Sequence, residues 1–88
     1  MARVFIPPAI RSLTAGLQEV DVSGATVSEI IDQLDQRFPG ARSRLCDADG
    51  LNPGLIVMVG NSASSLGLLQ RVADDEEVHF LPSIGGGV

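Results

Sequence analysis

Asp74-Asp75-Glu76-Glu77-Val78-His79-Phe80-Leu81-Pro82-Ser83-Ile84-Gly85-Gly86-Gly87-Val88 runs from an acidic turn through an alternating strand and a proline into a glycine thread. In the predicted strand Glu77 to Leu81, Val78 and Phe80 point to one face and Glu77, His79 and Leu81 to the other. A buried strand gains nothing from three glycines, which pack no side chain and lose the most backbone entropy on ordering. A thread without Cβ atoms can enter a narrow slot in another protein and place a main-chain carboxylate there. Extended, Pro82 to Gly87 reaches roughly 20 Å. A simple loose end is the alternative reading, because chain ends are commonly small, polar and disordered.

Upstream, the clearest element is a helix. Val27, Ile30, Ile31, Leu34 and Phe38 form one apolar stripe at helical spacing. Thr26 with Glu29 makes a capping box at its start, and Pro39-Gly40 closes it. Ala2 to Pro7 reads as a strand with Val4 and Ile6 on one face and Arg3 and Phe5 on the other, ended by Pro7-Pro8. Ala9 to Gly16 is a loop or short turn. Leu17 to Val22 is a second strand with Val20 and Val22 inward, and the short separation predicts an antiparallel hairpin. Ala41 to Asp47 is expected to hold a short helical turn carrying Leu45 and Cys46, and Asp47 to Gly54 a loop. Leu55 to Val59 is nearly all apolar, as a strand buried on both faces or at the sheet centre would be. Gly60-Asn61 is a turn, and Ser62 to Ala73 a mixed connection whose Leu66, Leu68 and Leu69 are expected to cover the sheet end. One amphipathic helix covers one face of the sheet.

Composition narrows the function. Eighty-eight residues make one domain with a modest core. The absence of Trp and Tyr and a net charge of −5 argue against nucleic-acid binding, which needs stacking platforms and a basic surface. An acidic domain favours basic protein partners. All six cations are Arg, so there is no ε-amine for a Schiff base or a phosphate loop. A single cysteine, Cys46, excludes an internal disulfide or a Cys-ligated iron–sulfur cluster. No stretch has membrane-spanning length and the opening residues lack a secretory apolar region, so no membrane contact and a cytoplasmic location are expected.

The element order strand, strand, helix, strand, strand followed by a glycine tail resembles the β-grasp, or ubiquitin-like, fold. More narrowly, the chain resembles the bacterial sulfur-carrier family that includes the molybdopterin synthase small subunit, the thiazole-forming carrier and a carrier serving a thiocarboxylate route to cysteine. The resemblance covers essentially the whole chain. It is carried by Ile10-Arg11-Ser12-Leu13 with Gly16, by Thr26-Val27, by Leu34-Asp35-Gln36-Arg37-Phe38-Pro39-Gly40, and most specifically by Asp74 to Pro82 leading to the glycines. The helix end and Leu45-Cys46-Asp47 are most similar to the cysteine-route carrier. The implied fold is α+β, a mixed sheet of four to five strands packed on one main helix (residues 1–82) with a flexible tail (residues 83–88).

Two residues depart from the family pattern. Asp75 stands where the family usually has Gly, and Asp tolerates a left-handed backbone better than most residues. Val88 follows the glycines, so the resemblance implies trimming at Gly87-Val88 by a JAMM-type zinc peptidase. It further implies that a ubiquitin-activating-type adenylyltransferase uses ATP to activate the Gly87 carboxylate. A persulfide sulfurtransferase then supplies sulfur, and an acceptor synthase takes it from the thiocarboxylate. Gly86 and Gly87 are the threaded, sulfur-carrying end. The chain itself is expected to bind no cofactor or metal and to be a protein cosubstrate rather than an enzyme.

Outward residues near the tail are the candidate docking surface: Phe5, Pro7, Met58, His79 and Leu81, with membership of the core as the alternative for Phe5 and Met58. His79 lacks the neighbours of a triad or metal site. Cys46 reads as a small buried hydrophobe before a redox thiol, and Asp74 to Glu77 as a solvated turn before a cation site. A ubiquitin-like covalent modifier and a noncatalytic interaction module with an inert tail are the competing functions. The sequence leaves the receiving pathway and the oligomeric state open.

Overall fold

Local sequence accounts for the central helix, α1 (Val27–Arg37). Thr26 takes the N-cap in extended backbone, and its hydroxyl accepts the Glu29 amide at 3.3 Å. The reciprocal half of the expected box is displaced by one residue: the Glu29 carboxylate accepts the Ala25 amide, at 3.1 Å, rather than that of Thr26. Val27, Ile30, Ile31 and Leu34 are fully buried along one stripe. Gly40 then adopts φ +101°, a left-handed conformation that costs glycine little, and turns the chain into α2 (Ala41–Leu45). Asp35 holds this corner by accepting the amides of Gly40 and Arg42 at 3.2 and 3.1 Å.

The computed structural model describes residues 1–48 and 50–82. The expected tail, with Gly86, Gly87 and Val88, lies outside the described residues. The strands are β1 (Ala2–Phe5), β2 (Glu19–Val22), β3 (Cys46–Asp47), β4 (Gly50–Leu51), β5 (Leu55–Val59), β6 (Ser62–Ala63) and β7 (Glu77–Pro82). Five of them form a mixed sheet in the order β2-β1-β7-β5-β6, and β3 pairs with β4 in a separate hairpin. β1 is antiparallel to β2 and parallel to β7; β7 is antiparallel to β5. This sheet, with α1 across one face, is the β-grasp arrangement that the sequence led us to expect. The core is the inward set Val4, Val20, Val22, Val57, Val59, Val78 and Phe80, closed by the helix stripe, Ile6, Ile10 and Leu45.

Several expectations change. β7, not β5, occupies the sheet centre, and only Val57 and Val59 of β5 are buried, while Ile56 is 37% exposed. The sheet has one covered face, so the apolar run in β5 supplies both a core face and an apolar outer face. The stretch Ala9 to Gly16, read as a loop or short turn, begins inside a 3-10 helix, Pro8–Leu13, that drops Ile10 into the core. Thr14, the one buried polar residue among those described, places its hydroxyl 3.1 Å from the Arg11 carbonyl and 3.2 Å from that of Leu17. Of the three leucines expected over the sheet end, Leu68 packs against the core but Leu66 and Leu69 are exposed. A 3-10 helix as short as Gly67–Leu69 cannot turn all of its side chains inward.

The acidic turn adopts the left-handed backbone that Asp75 was expected to tolerate. Asp75 sits at φ +68° and donates its amide to the Met1 carbonyl at 2.9 Å, closing the turn onto the start of β1. Asp75→Gly relieves the left-handed strain at some entropic cost and is expected to raise stability by about 0.5–1 kcal/mol. Asp75→Val, β-branched at positive φ, is expected to lower it by at least as much. Urea unfolding of the three chains, compared at equal m-value, checks both.

Candidate docking face beside the last strand

Strand alternation builds this face. With Val78 and Phe80 turned into the core, His79 and Leu81 must turn outward. The parallel register sets Phe5 of β1 beside His79, and the antiparallel register sets Met58 of β5 on its other side. Phe5, His79 and Met58 thus form one row across the three inner strands. The next row toward the end of β7 holds Leu81 beside Ile56, which are 41% and 37% exposed.

Phe5 and His79 are stacked, with ring centroids 4.2 Å apart and planes inclined by 7°. Both are half-buried, and so is Met58; none belongs to the buried core. The imidazole Nε2 also lies 3.5 Å from a Glu77 carboxylate oxygen. Arg3 lies between Glu19 and Asp21, at 3.7 and 3.8 Å, on the same outer surface. These are solvent-exposed pairs that contribute little to stability. The face is therefore apolar toward the end of β7 and charged toward its start.

Four of the five expected docking residues share this surface: Phe5, Met58, His79 and Leu81. Pro7 does not, because it is buried. It forms the N-cap of the Pro8–Leu13 turn, and its carbonyl accepts the Ile10 amide at 3.2 Å, so the chain leaves the strand at this residue. Ile56 joins the face although the sequence reading assigned it to a buried strand. The signal was there in its parity with Met58, which had already been placed outward.

Among the described residues no group of His, Cys, Asp and Glu has the arrangement to hold a metal ion, and Asp74, Asp75 and Glu77 of the acidic turn are exposed while Glu76 is half-buried. Among the described residues no helix is long and apolar enough to cross a membrane. Cys46 is half-buried against the core rather than fully inside it. Its pKa is raised, chiefly because burial disfavours the thiolate; Arg42 opposes this, and Asp32 and Asp47 add to it.

Two measurements follow from this geometry. A double-mutant cycle with Phe5→Ala and His79→Ala is expected to show a coupling of about 0.5–1.5 kcal/mol, whereas independent substitutions would add. Alkylation of Cys46 by iodoacetamide is expected to need a higher pH than a cysteine peptide. Because the folded state holds the thiol proton more tightly, this contribution to stability is full below the unfolded thiol pKa. It is lost as pH rises through the folded value.

Known proteins place this geometry in a family. A family model described as the ThiS family matches residues 4–87. "Sulfur carrier protein CysO" of Mycobacterium tuberculosis is 32% identical, with 96% of each chain covered. The CysO chain of an Amycolatopsis orientalis BexX/CysO complex superposes with a TM-score of 0.88 at 32% identity, covering 96% of this chain and 97% of the other. SAMP1 from Haloferax volcanii gives a TM-score of 0.70 at 27% identity, with 98% of each chain covered. The expectation of a carrier rather than an enzyme agrees with the name that the first of these bears. Matched over nearly its whole length by the family model, this chain belongs to the ThiS family.

Proposed function

We propose that this protein is a sulfur carrier whose reactive group is the main-chain carboxylate of Gly87, freed by cleavage before Val88. The observation that carries the reading is the 32% identity to proteins named sulfur carriers, running over 96% of both chains. The chemistry requires outside help, because a carboxylate is a poor electrophile at neutral pH. Attack of the Gly87 carboxylate on the α-phosphorus of ATP, in an adenylating partner, releases pyrophosphate and gives an acyl adenylate. A persulfide sulfur then displaces AMP, and thiol reduction of the resulting acyl disulfide leaves a thiocarboxylate. Being ionised and nucleophilic, that group passes its sulfur to an acceptor enzyme.

Each residue then has a limited task. Gly86 and Gly87 pass through a slot too narrow for side chains. The outer face around Phe5, His79, Met58, Ile56 and Leu81 docks on the partners. That the Amycolatopsis relative is found in a BexX/CysO complex supports docking of this kind. Cysteine biosynthesis is the receiving route we favour, on the resemblance of Leu45-Cys46-Asp47. A zinc peptidase of the JAMM type is the proposed trimming enzyme.

A second reading, attachment of Gly87 to lysines of other proteins, is favoured by the likeness to a chain named as a small archaeal modifier protein. Intact-mass analysis from the native host under sulfur demand separates the two. A carrier is expected to end at Gly87 and to be heavier than that carboxylate form by the oxygen-to-sulfur difference. Gly86→Val is expected to abolish this species while leaving the melting temperature unchanged. Only uncleaved chain in the wild type, or high-mass conjugates surviving denaturation in place of the sulfur-bearing form, would reject the carrier reading.

A further inference from the structure

The arginines divide according to what holds them. Arg3 and Arg42 are committed to carboxylates, Arg3 to Glu19 and Asp21 and Arg42 to Asp32. Arg37 donates to the Asp21 carbonyl and lies over the Phe38 ring. Among the described residues Arg37 has no carboxylate within ion-pair distance, and neither has the exposed Arg71, whose backbone bridges Thr26; Arg11 and Arg44 differ from both in where they are anchored. Arg11 and Arg44 are exposed, and among the described residues neither has a carboxylate within ion-pair distance. Both are nevertheless held in place. Arg11 Nη2 donates to the Ile6 carbonyl at 3.1 Å, while Arg44 Nη1 lies 3.3 Å from the Ala9 carbonyl and 3.4 Å from Ser12 Oγ.

These anchors all belong to the stretch from Ile6 to Ser12, which leaves the sheet at the end of β1. Since β1 and β7 run parallel, that is also the end at which β7 finishes in Leu81-Pro82. The opposite end of the sheet carries Asp74, Asp75, Glu76 and Glu77. In a chain of net charge −5, two guanidinium groups without carboxylates thus stand at the end of the sheet where β7 finishes. A guanidinium fixed through one nitrogen keeps further N–H donors in a planar fork that matches a carboxylate.

We propose that Arg11 and Arg44 form a basic latch for carboxylate side chains at the rim of the partner slot that receives the C-terminal thread. The inference deepens the sulfur-carrier reading and rests on it. The occupant is a protein rim rather than the adenylate phosphate, because a segment from Pro82 to Gly87, if extended, would span roughly 20 Å. The latch sets the rotation at which the domain seats, beside the apolar face that supplies contact area. Acidic partner residues elsewhere are repelled by the far end of the sheet, so the charge pattern favours one orientation.

The test is reconstitution of full-length carrier, trimmed to Gly87, with the adenylating and sulfur-donating proteins of its own host. Thiocarboxylate formation is followed by intact mass. Arg11→Gln/Arg44→Gln keeps an amide donor for the backbone carbonyls but removes both charges. It is expected to lower the initial rate about tenfold or more, with a shallower salt dependence. Arg11→Lys/Arg44→Lys keeps the charges without the fork and is expected to recover part of the rate. If the double Gln variant does not melt cooperatively, the single Gln variants are compared instead. A folded Gln variant as fast as wild type, or a Lys variant no faster than the Gln variant, overturns the latch alone. Failure of the wild-type chain to acquire sulfur overturns the carrier reading, and the latch with it.

Discussion

The parallel pairing of β1 with β7 is the constraint on which the remaining structure depends. Arg3, Val4 and Phe5 lie beside Glu77, Val78 and His79, joining the opening strand to the last one described. A parallel pair cannot be closed by a tight turn and requires a crossover. Here the crossover is nearly everything else: β2, α1, α2, the β3–β4 hairpin and β5 with β6. Removing β7 would therefore split the sheet between β1 and β5, not merely trim an edge. The pairing is also non-local, so its loop-closure entropy is incurred before its contacts form. The acidic turn helps at this seam, because Asp75 donates to Met1 and Arg3 donates to Glu76, each at 2.9 Å.

From that pairing the functional surface follows by alternation alone. Once Val4, Val78 and Phe80 are committed to the core, Phe5, His79 and Leu81 have no place except the opposite face. β5 completes the face because its register with β7 sets Met58 beside His79 and Ile56 beside Leu81. The helix plays no direct part; it covers the inner face and leaves the outer one uncovered. A single amphipathic helix is thus why a small domain can maintain a core and keep a broad apolar surface available.

Local features of this fold were legible in the sequence, and features set by distant partners were not. The stripe from Val27 to Leu34 identified α1, and alternation in Glu77 to Leu81 assigned every side chain of that strand to the correct face. Asp75 was legible for a steric reason, since Asp is one of the few residues that tolerate a left-handed turn. Leu55 to Val59 misled because an apolar run looks the same whether both faces are buried or one is kept for docking. Pro7 misled in the opposite sense: parity placed it outward, but it caps the 3-10 turn that follows and is buried. The strands β3, β4 and β6 have two residues each, too few for any period to register. The rim of paired and unpaired arginines depends on contacts between Arg44 and Ala9, far apart in sequence, which no local pattern encodes.

A carrier poses a different selection problem from an enzyme. It needs no convergent acid, base and nucleophile, and the described residues that carry charge are nearly all exposed. On the reading proposed above, what it needs is to present one terminus in a fixed direction to several proteins in turn. A rigid central strand is suited to this, because β7 is held on both sides and cannot swing about its axis. The asymmetry of its surroundings adds direction, with an acidic turn where the strand begins and a hydrophobic face with anchored guanidinium groups where it ends. Steering by such a charge pattern changes the frequency of productive encounters more than their final affinity. That fits the proposed carrier, which has to release each partner before meeting the next.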